Sequence, residues 1–251
     1  MDKTTQTYIE WIKATDLRDK LPTNTTGYTF RNRDVNRLEG MAFHQALSWG
    51  TIEQIHKYHT GPNHMDKNGL SRISYTVGIR RNGEVCMLND LETKTWSQGY
   101  RNRAGDENAE FIGVMFEGMF SWGKETEYLG QRLGEPTEHQ IASALQVWND
   151  SADFFNWDCR DIYGHFDFGK ESCPGRTIEA IIRGIRTQYD FDVTKERTRF
   201  LKAYEFKDTT AFQESVNRSG FGVKIGVDGV WGARETIPAA YWWIQHHPPV
   251  F

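Results

Sequence analysis

One loop of this sequence, at residues 164–175, reads GHFDFGKESCPG and carries a histidine and a cysteine. His165 and Cys173 supply an imidazole and a thiolate, which zinc accepts together, and a catalytic zinc site takes three protein ligands beside one water. A histidine near a cysteine is equally compatible with a polar side chain packed beside a small hydrophobe. A metal site at this loop therefore requires a third ligand from another part of the chain.

His44 is the candidate for the third ligand. It lies in a short apolar stretch, residues 41–47, that we expect to be an inner strand with His44 at its end. Residues 51–59 follow, and their apolar side chains and His59 recur at a spacing that places them on one face of a helix. The sequence thus predicts a strand that delivers His44, followed by a helix.

The next segments have the composition of strands. Residues 73–79 and 84–88 are β-type runs separated by Arg-Arg-Asn-Gly, and Asn-Gly is a strong hairpin signal because both residues tolerate positive φ. Residues 111–116, FIGVMF, are almost wholly apolar, which is typical of a central strand. We therefore expect a hairpin and a central strand in the same sheet.

Two helices are predicted after these strands. One begins near residue 136 with a capping box formed by Thr137 and Gln140, and a second amphipathic helix covers residues 178–185. The pattern predicts an α/β fold, in which helices flank a mixed central β-sheet and the metal lies at one end of the strands.

This order of elements resembles the zinc-dependent N-acetylmuramoyl-L-alanine amidases of the phage lysin type, which are related to peptidoglycan recognition proteins. The resemblance spans about residues 38–187, and its most specific part is the final Gly-His-x7-Cys-Pro-Gly motif. It implies that Zn²⁺ is the cofactor, that His44, His165 and Cys173 are its ligands, and that Tyr75 occupies the position of the family's catalytic tyrosine.

Two positions depart from the family pattern. Many relatives carry a histidine directly after the tyrosine, where this chain has Thr76. Some phage relatives carry a catalytic lysine two residues before the cysteine ligand, where this chain has Glu171, with Lys170 adjacent. Lys170 and Glu171 are therefore alternative candidates for a catalytic role in proton transfer, and Tyr75 ranks above both.

Candidate substrate-binding residues lie in two loops. Trp96, Gln98 and Tyr100 precede the central strand, where an aromatic ring can stack on a sugar. His64 follows the first helix of the resemblance. The alternatives are that the aromatic residues cap the core and that the histidines around His64 are simply solvated.

The end of the chain has a different character. Residues 227–232, VDGVWG, resemble the turn of small helical peptidoglycan-binding domains. We expect an N-terminal extension packing on the catalytic domain at residues 1–37, a catalytic domain at 38–190, a linker at 191–204 and a small helical C-terminal domain at 205–251. A C-terminal extension packed on the main domain is the alternative.

Composition limits the partners and the location. A net charge of -4 and an isoelectric point of about 6.1 provide no basic surface for nucleic acid. There is no run of 18 apolar residues for membrane insertion and no apolar core of a secretory signal near the first residues. Three cysteines are too few for a disulfide framework. We expect a monomer made in the host cytoplasm that acts on the cell wall after release.

The expected function is hydrolysis of the amide bond between N-acetylmuramic acid and L-alanine in bacterial peptidoglycan. The expected setting is that of a phage endolysin, a lytic and hence antimicrobial hydrolase. Two alternatives are a non-catalytic peptidoglycan-recognition module and a stem-peptide peptidase on the same scaffold. Because non-catalytic relatives commonly lack the cysteine ligand, Cys173 favours the enzyme.

Overall fold

The computed structural model describes residues 3–64, 67–98, 107–187, 197, 200–201, 204–219, 224–232 and 235–246. The chain divides into two compact units, Met1–Glu179 and Ala180–Phe251. The domain boundaries expected from the sequence stay predictions, and most of the expected linker at 191–204 lies outside the described residues.

The first unit is built on a mixed six-stranded sheet with the strand order β1-β5-β4-β7-β3-β10. Two short two-stranded ladders, β2 with β6 and β8 with β9, accompany it. The strands are β1 Thr15–Asp16, β2 Arg31–Asn32, β3 Gly40–Gln45, β4 Val77–Ile79, β5 Val85–Met87, β6 Thr93–Lys94, β7 Phe111–Phe116, β8 Glu127–Tyr128, β9 Gln131–Arg132 and β10 Ile162–Gly164.

Helices flank this sheet, as the sequence predicts. The helices of the first unit are α1 Thr5–Trp11, α2 Ile52–Thr60, α3 Glu107–Glu110 and α4 Glu138–Phe155, and α5 Arg176–Thr187 begins in it. The second unit contains α6 Thr209–Arg218 and α7 Thr236–His246. The predicted capping box of α4 is confirmed, because the side chains of Thr137 and Gln140 each accept a backbone N–H of the other residue. None of the described helices has the length and hydropathy needed to cross a membrane.

The centre of the sheet is parallel and buried. All six residues of β3 and all six of β7 are buried, and β3 lies parallel to both β7 and β10. Such strands are nearly all apolar because helices cover both of their faces. The polar His44 is therefore an exception inside an apolar layer, opposite Met115 of β7.

The predicted hairpin forms with two differences. β4 and β5 pair antiparallel, but of the two turn residues only Gly83 takes a positive φ, of 86°. β4 begins at Val77 rather than Ile73, so Tyr75 lies just before the strand and not at its centre. Asn89 explains the shorter strand, because its side-chain amide donates to the carbonyls of Ile73 and Tyr75.

The N-terminal residues are integrated into the first unit. Tyr8 is fully buried, and its hydroxyl lies 2.7 Å from that of Ser151 on α4. Arg33 is also buried, and its guanidinium donates to the carbonyls of Leu91 at 2.6 Å and Phe111 at 2.7 Å. Burial lowers the pKa of Arg33 to about 10, although the carbonyls satisfy its donors.

The second unit contains the turn that the sequence analysis singled out. Gln213 of α6 holds this turn, because its side-chain nitrogen donates to Asp228 at 2.9 Å and its side-chain oxygen accepts the N–H of Gly229 at 2.9 Å. Gly229 has a φ of 72°, which favours glycine. The side chains of Val227 and Val230 in this turn are 47% and 57% exposed.

Candidate metal centre

Three possible metal ligands meet at the C-terminal end of the neighbouring strands β3 and β10. One ligand atom from each of His44, His165 and Cys173 lies within 4.8 Å of the others. The topology explains this meeting, because β3 and β10 are neighbouring parallel strands and Gly164 pairs with Phe43. His44 and His165 directly follow these paired residues, so the two imidazoles emerge side by side, with ring centroids 4.4 Å apart.

His44 is buried with its hydrogen-bonding capacity unused. Its exposed fraction is 0%, and neither ring nitrogen has a hydrogen-bond partner among the residues that the structure describes. Burial, and the nearby His165, hold the pKa of His44 well below its ordinary value, so the ring is neutral. Leaving a buried polar group unpaired costs about 1–3 kcal/mol. A neutral, unpaired imidazole is the form that binds a metal ion.

The segment after β6 that carries Trp96 and Gln98, which we call the Trp96 loop, orients His165 through its backbone. Its Nε2 lies 3.1 Å from the carbonyl oxygen of Gln98, and because a carbonyl only accepts, Nε2 carries the proton. Nδ1 is then left with a free lone pair, an arrangement common among metal-binding histidines. Burial lowers the pKa of His165 to about 4, with a smaller contribution from Lys170.

Cys173 completes a set of two nitrogen donors and one sulfur donor. Its Sγ accepts the backbone N–H of Gln45 at 3.3 Å. Burial raises the pKa of the Cys173 thiol to about 12, so a thiolate at this position needs a neighbouring cation. Two neutral imidazoles and one thiolate fit zinc better than the hard cations that prefer oxygen.

The loop between the two ligands is closed by backbone hydrogen bonds. Phe166 N–H donates to the carbonyl of Cys173 at 2.8 Å, and Cys173 N–H donates to that of Lys170 at 2.8 Å. The side chain of Gln45 adds a bond of 2.6 Å to the carbonyl of Ser172. The first two bonds close the loop on itself, and the bond from Gln45 joins it to β3.

Tyr75 lies beside this centre. Its ring centroid is 5.2 Å from that of His44, and burial together with the charge of Cys173 raises the pKa of its hydroxyl. The backbone of Tyr75 is held by Asn89, as described above. Tyr75 therefore lies next to the candidate ligands, and its catalytic role stays a prediction.

Lys170 and Glu171 are on the same loop but point into solvent. Both side chains are exposed, unlike His165 and Cys173 on either side of them. The positive charge of Lys170 nevertheless lowers the pKa of both ligands. The charge of Lys170 therefore acts on both candidate ligands although its side chain is exposed.

The predicted substrate-binding residues have different surroundings. Trp96 packs against Tyr28, with ring centroids 4.9 Å apart, and Gln98 is buried and reaches the centre through its backbone carbonyl. His64 stacks on His59 at 4.9 Å and 20°. Tyr100 lies outside the described residues. Substrate contact by these residues stays a prediction.

Gln45 is a residue of the centre that the sequence analysis missed. It carried no signal, because its bonds to Cys173 and Ser172 join distant parts of the chain. His59, which the sequence places on the apolar face of its helix, has its ring centroid 5.8 Å from that of Tyr75. The expectation of solvated histidines is wrong for His56, which is 3% exposed and lies 2.8 Å from the carbonyl of Pro22.

Solved structures of similar proteins include two groups of peptidoglycan-related proteins. The endolysin N-acetylmuramoyl-L-alanine amidase LysCS from Clostridium intestinale URNW is 19% identical, with a TM-score of 0.44 over 66% of this chain and 93% of that chain. Drosophila peptidoglycan recognition protein SD is 15% identical, with a TM-score of 0.44 over 64% of this chain and 89% of that chain. No curated protein matches the sequence.

A comparison with family models gives the assignment. The model described as N-acetylmuramoyl-L-alanine amidase matches residues 38–176, which include all three candidate ligands and Tyr75. This match covers more than half of the 251 residues and confirms the resemblance inferred from the sequence. The chain belongs to the N-acetylmuramoyl-L-alanine amidase family.

Proposed function

We propose that this protein hydrolyses the amide bond between N-acetylmuramic acid and L-alanine in bacterial peptidoglycan, with zinc held by His44, His165 and Cys173. The observation that carries the proposal is the buried His44 ring, which has no partner among the described residues and faces two further ligands within 4.8 Å. A zinc ion bound there supplies Lewis acidity at neutral pH.

The surrounding residues prepare this centre for hydrolysis. Gln98 fixes the tautomer of His165, and the backbone of Gln45 donates to the sulfur of Cys173. Such partners of the ligands set their orientation. The ligand set carries one negative charge, so a divalent ion keeps a net positive charge and the ability to polarise a carbonyl group.

Tyr75 is the proposed catalytic residue. An ordinary phenol is protonated at neutral pH, so its hydroxyl can donate a hydrogen bond to the oxygen that becomes negative as the amide is attacked. The position of its ring beside His44 supports this role. Lys170 and Glu171 are the other residues that the sequence offers for proton transfer, and Tyr75 ranks above both.

We further propose that the protein acts as a phage endolysin, made in the host cytoplasm and released to the wall. The resemblance to phage lysins supports this role. Expression inside a bacterium should leave the cells intact, whereas the purified protein added to permeabilised cells should lyse them. Lysis by expression alone would contradict the proposed release step.

The second unit is proposed to bind the cell wall. Its turn at residues 227–232 exposes Val227 and Val230, and Gln213 holds that turn in place. Replacement of Val230 by Asp should lower sedimentation of the protein with purified cell walls. A variant that sediments normally would instead favour a unit without a binding role.

Mass spectrometry of digested peptidoglycan tests the main proposal. Free stem peptides that begin with L-alanine are expected as products. Internal cuts in the stem would indicate a peptidase, and no release at all would indicate a recognition module. Removal of metal with a chelator should abolish release, and zinc should restore it because two imidazoles and a thiolate suit that ion.

A further inference from the structure

The residues that precede the family match form part of the surface next to the metal centre. Strand β2 pairs with β6, and Tyr28 forms a parallel bridge with Leu70. The N-terminal segment therefore joins two loops of the family domain. One is the loop that follows α2 and carries His64, and the other leads from β6 to Gln98.

The backbone at Tyr28 is held on both sides. Tyr28 N–H donates to the carbonyl of Gly69 at 2.9 Å, and Ser71 N–H donates to the carbonyl of Tyr28 at 2.9 Å. The side chain of Asn24 donates to the carbonyls of Thr60 and Asn68. None of these bonds uses the Tyr28 ring, so its removal should leave the segment in place.

Three aromatic side chains meet at this surface, which we name the aromatic cluster: Tyr28, Phe30 and Trp96. The ring of Trp96 lies 4.9 Å from that of Tyr28 and 6.5 Å from that of Phe30. Residues two apart in an extended segment share a face, which explains why Tyr28 and Phe30 both reach Trp96. Tyr28 is nevertheless 54% exposed. The Tyr28 ring is therefore packed against Trp96 and still about half open to solvent, whereas Phe30 and Trp96 are partly buried.

The aromatic cluster adjoins the metal centre along the chain. Trp96 precedes Gln98 by two residues, a span of at most about 7 Å between Cα atoms. The carbonyl of Gln98 in turn accepts the hydrogen bond of His165. The backbone that carries Trp96 is thus directly continuous with the backbone that orients His165.

We propose that the aromatic cluster is a carbohydrate subsite that takes a sugar ring of the glycan strand next to the cleaved amide. This inference rests on the proposed function and extends it to residues outside the family match. A pyranose ring presents an apolar C–H face and a rim of hydroxyl groups. A fixed aromatic ring with a polar end, such as Tyr28 beside Trp96, matches both parts.

Titration with the soluble tetramer of N-acetylglucosamine, followed by tryptophan fluorescence and calorimetry, tests the subsite. Tyr28→Ala should raise the Kd about three- to tenfold, whereas Tyr28→Phe, which keeps the ring and loses only the hydroxyl, should raise it by a smaller factor. Tyr128→Ala is the matched control, because Tyr128 is also partly exposed but lies on the separate β8–β9 hairpin. Equal affinities of Tyr28→Ala and wild type, or no tetramer binding by wild type, would overturn the proposal.

A second measurement separates this inference from the proposed function. The loss caused by Tyr28→Ala should be larger for release of stem peptides from intact peptidoglycan than for cleavage of a muramyl tripeptide that carries one sugar. If wild type binds the tetramer through Tyr28 but cleaves neither substrate, the proposed function fails and the subsite stands. If it cleaves both and Tyr28→Ala affects them equally, the subsite fails alone.

Discussion

The two ends of the loop from His165 to Cys173 differ sharply from its middle. The ends are enclosed by β3, the Trp96 loop and Tyr75, and their side chains converge. Lys170 and Glu171 lie only a few residues away and are exposed. Residues that are close in sequence therefore need not share an environment. Distant parts of the chain enclose His165 and Cys173 and leave Lys170 and Glu171 exposed.

The largest effect is expected from the loss of an enclosed ligand. Cys173→Ser should lower both bound zinc and the rate of stem-peptide release, the latter to below about one-hundredth of wild type, because one cause underlies both losses. Elemental analysis measures the bound zinc, and mass spectrometry of the products measures the rate of stem-peptide release. Cys159→Ser is the control, since Cys159 is a free cysteine away from the centre. A zinc-free variant that retained activity would refute the metal requirement.

Tyr75→Phe should separate metal binding from turnover. The change removes only a hydroxyl, so zinc content should stay at the wild-type level while the turnover number falls about 100-fold. Initial rates on a muramyl tripeptide, with zinc determined on the same sample, provide the measurement. Unchanged turnover would show that the enclosed ring acts by packing rather than by hydrogen bonding.

Smaller effects are expected in the exposed middle of the loop. Lys170→Ala and Glu171→Gln should each lower turnover less than about tenfold, below the contribution of a general acid or base. Lys170→Ala should have the larger effect because its positive charge lowers the pKa of both His165 and Cys173. A loss of a hundredfold or more in either variant would identify that residue as the missing proton carrier.

The smallest effect concerns an exposed charge far from the loop. The hydrogen bond from Arg80 lowers the pKa of Glu53 from its ordinary value of 4.5 to about 2. This pair should therefore stabilise the fold above about pH 4.5, and the stabilisation should be lost as the pH falls towards 2. Because Glu53 is half exposed, Glu53→Gln should cost less than about 1 kcal/mol at pH 7.

Thermal unfolding from pH 7 down to pH 2 checks this expectation. The gap in Tm between Glu53→Gln and wild type should close as the solution becomes acidic. Zinc content and turnover at pH 7 should match wild type. A gap that grew on acidification would show that the carboxylate destabilises the fold.

The elements of the fold were largely predictable because they depend on local patterns. The apolar run of β7 and the capping box of α4 specify their elements within a few residues. The convergence of His44 with the loop required parallel pairing of β3 and β10, which only the family resemblance supplied. The contributions of Gln45, of the Gln98 carbonyl and of Arg33 were not predictable, because each depends on a backbone group brought close by tertiary folding.

Arg33 has a practical consequence for the engineering of this protein. A fragment cut at the start of the family match, residue 38, would lack the guanidinium that the carbonyls of Leu91, Asn108 and Phe111 accept from. Each buried carbonyl that finds neither a protein donor nor a water molecule would lower the free energy of unfolding by about 1–3 kcal/mol. A chimeric enzyme that contains this domain should accordingly be joined upstream of α1, so that the domain keeps Arg33 and unfolds in a single cooperative step.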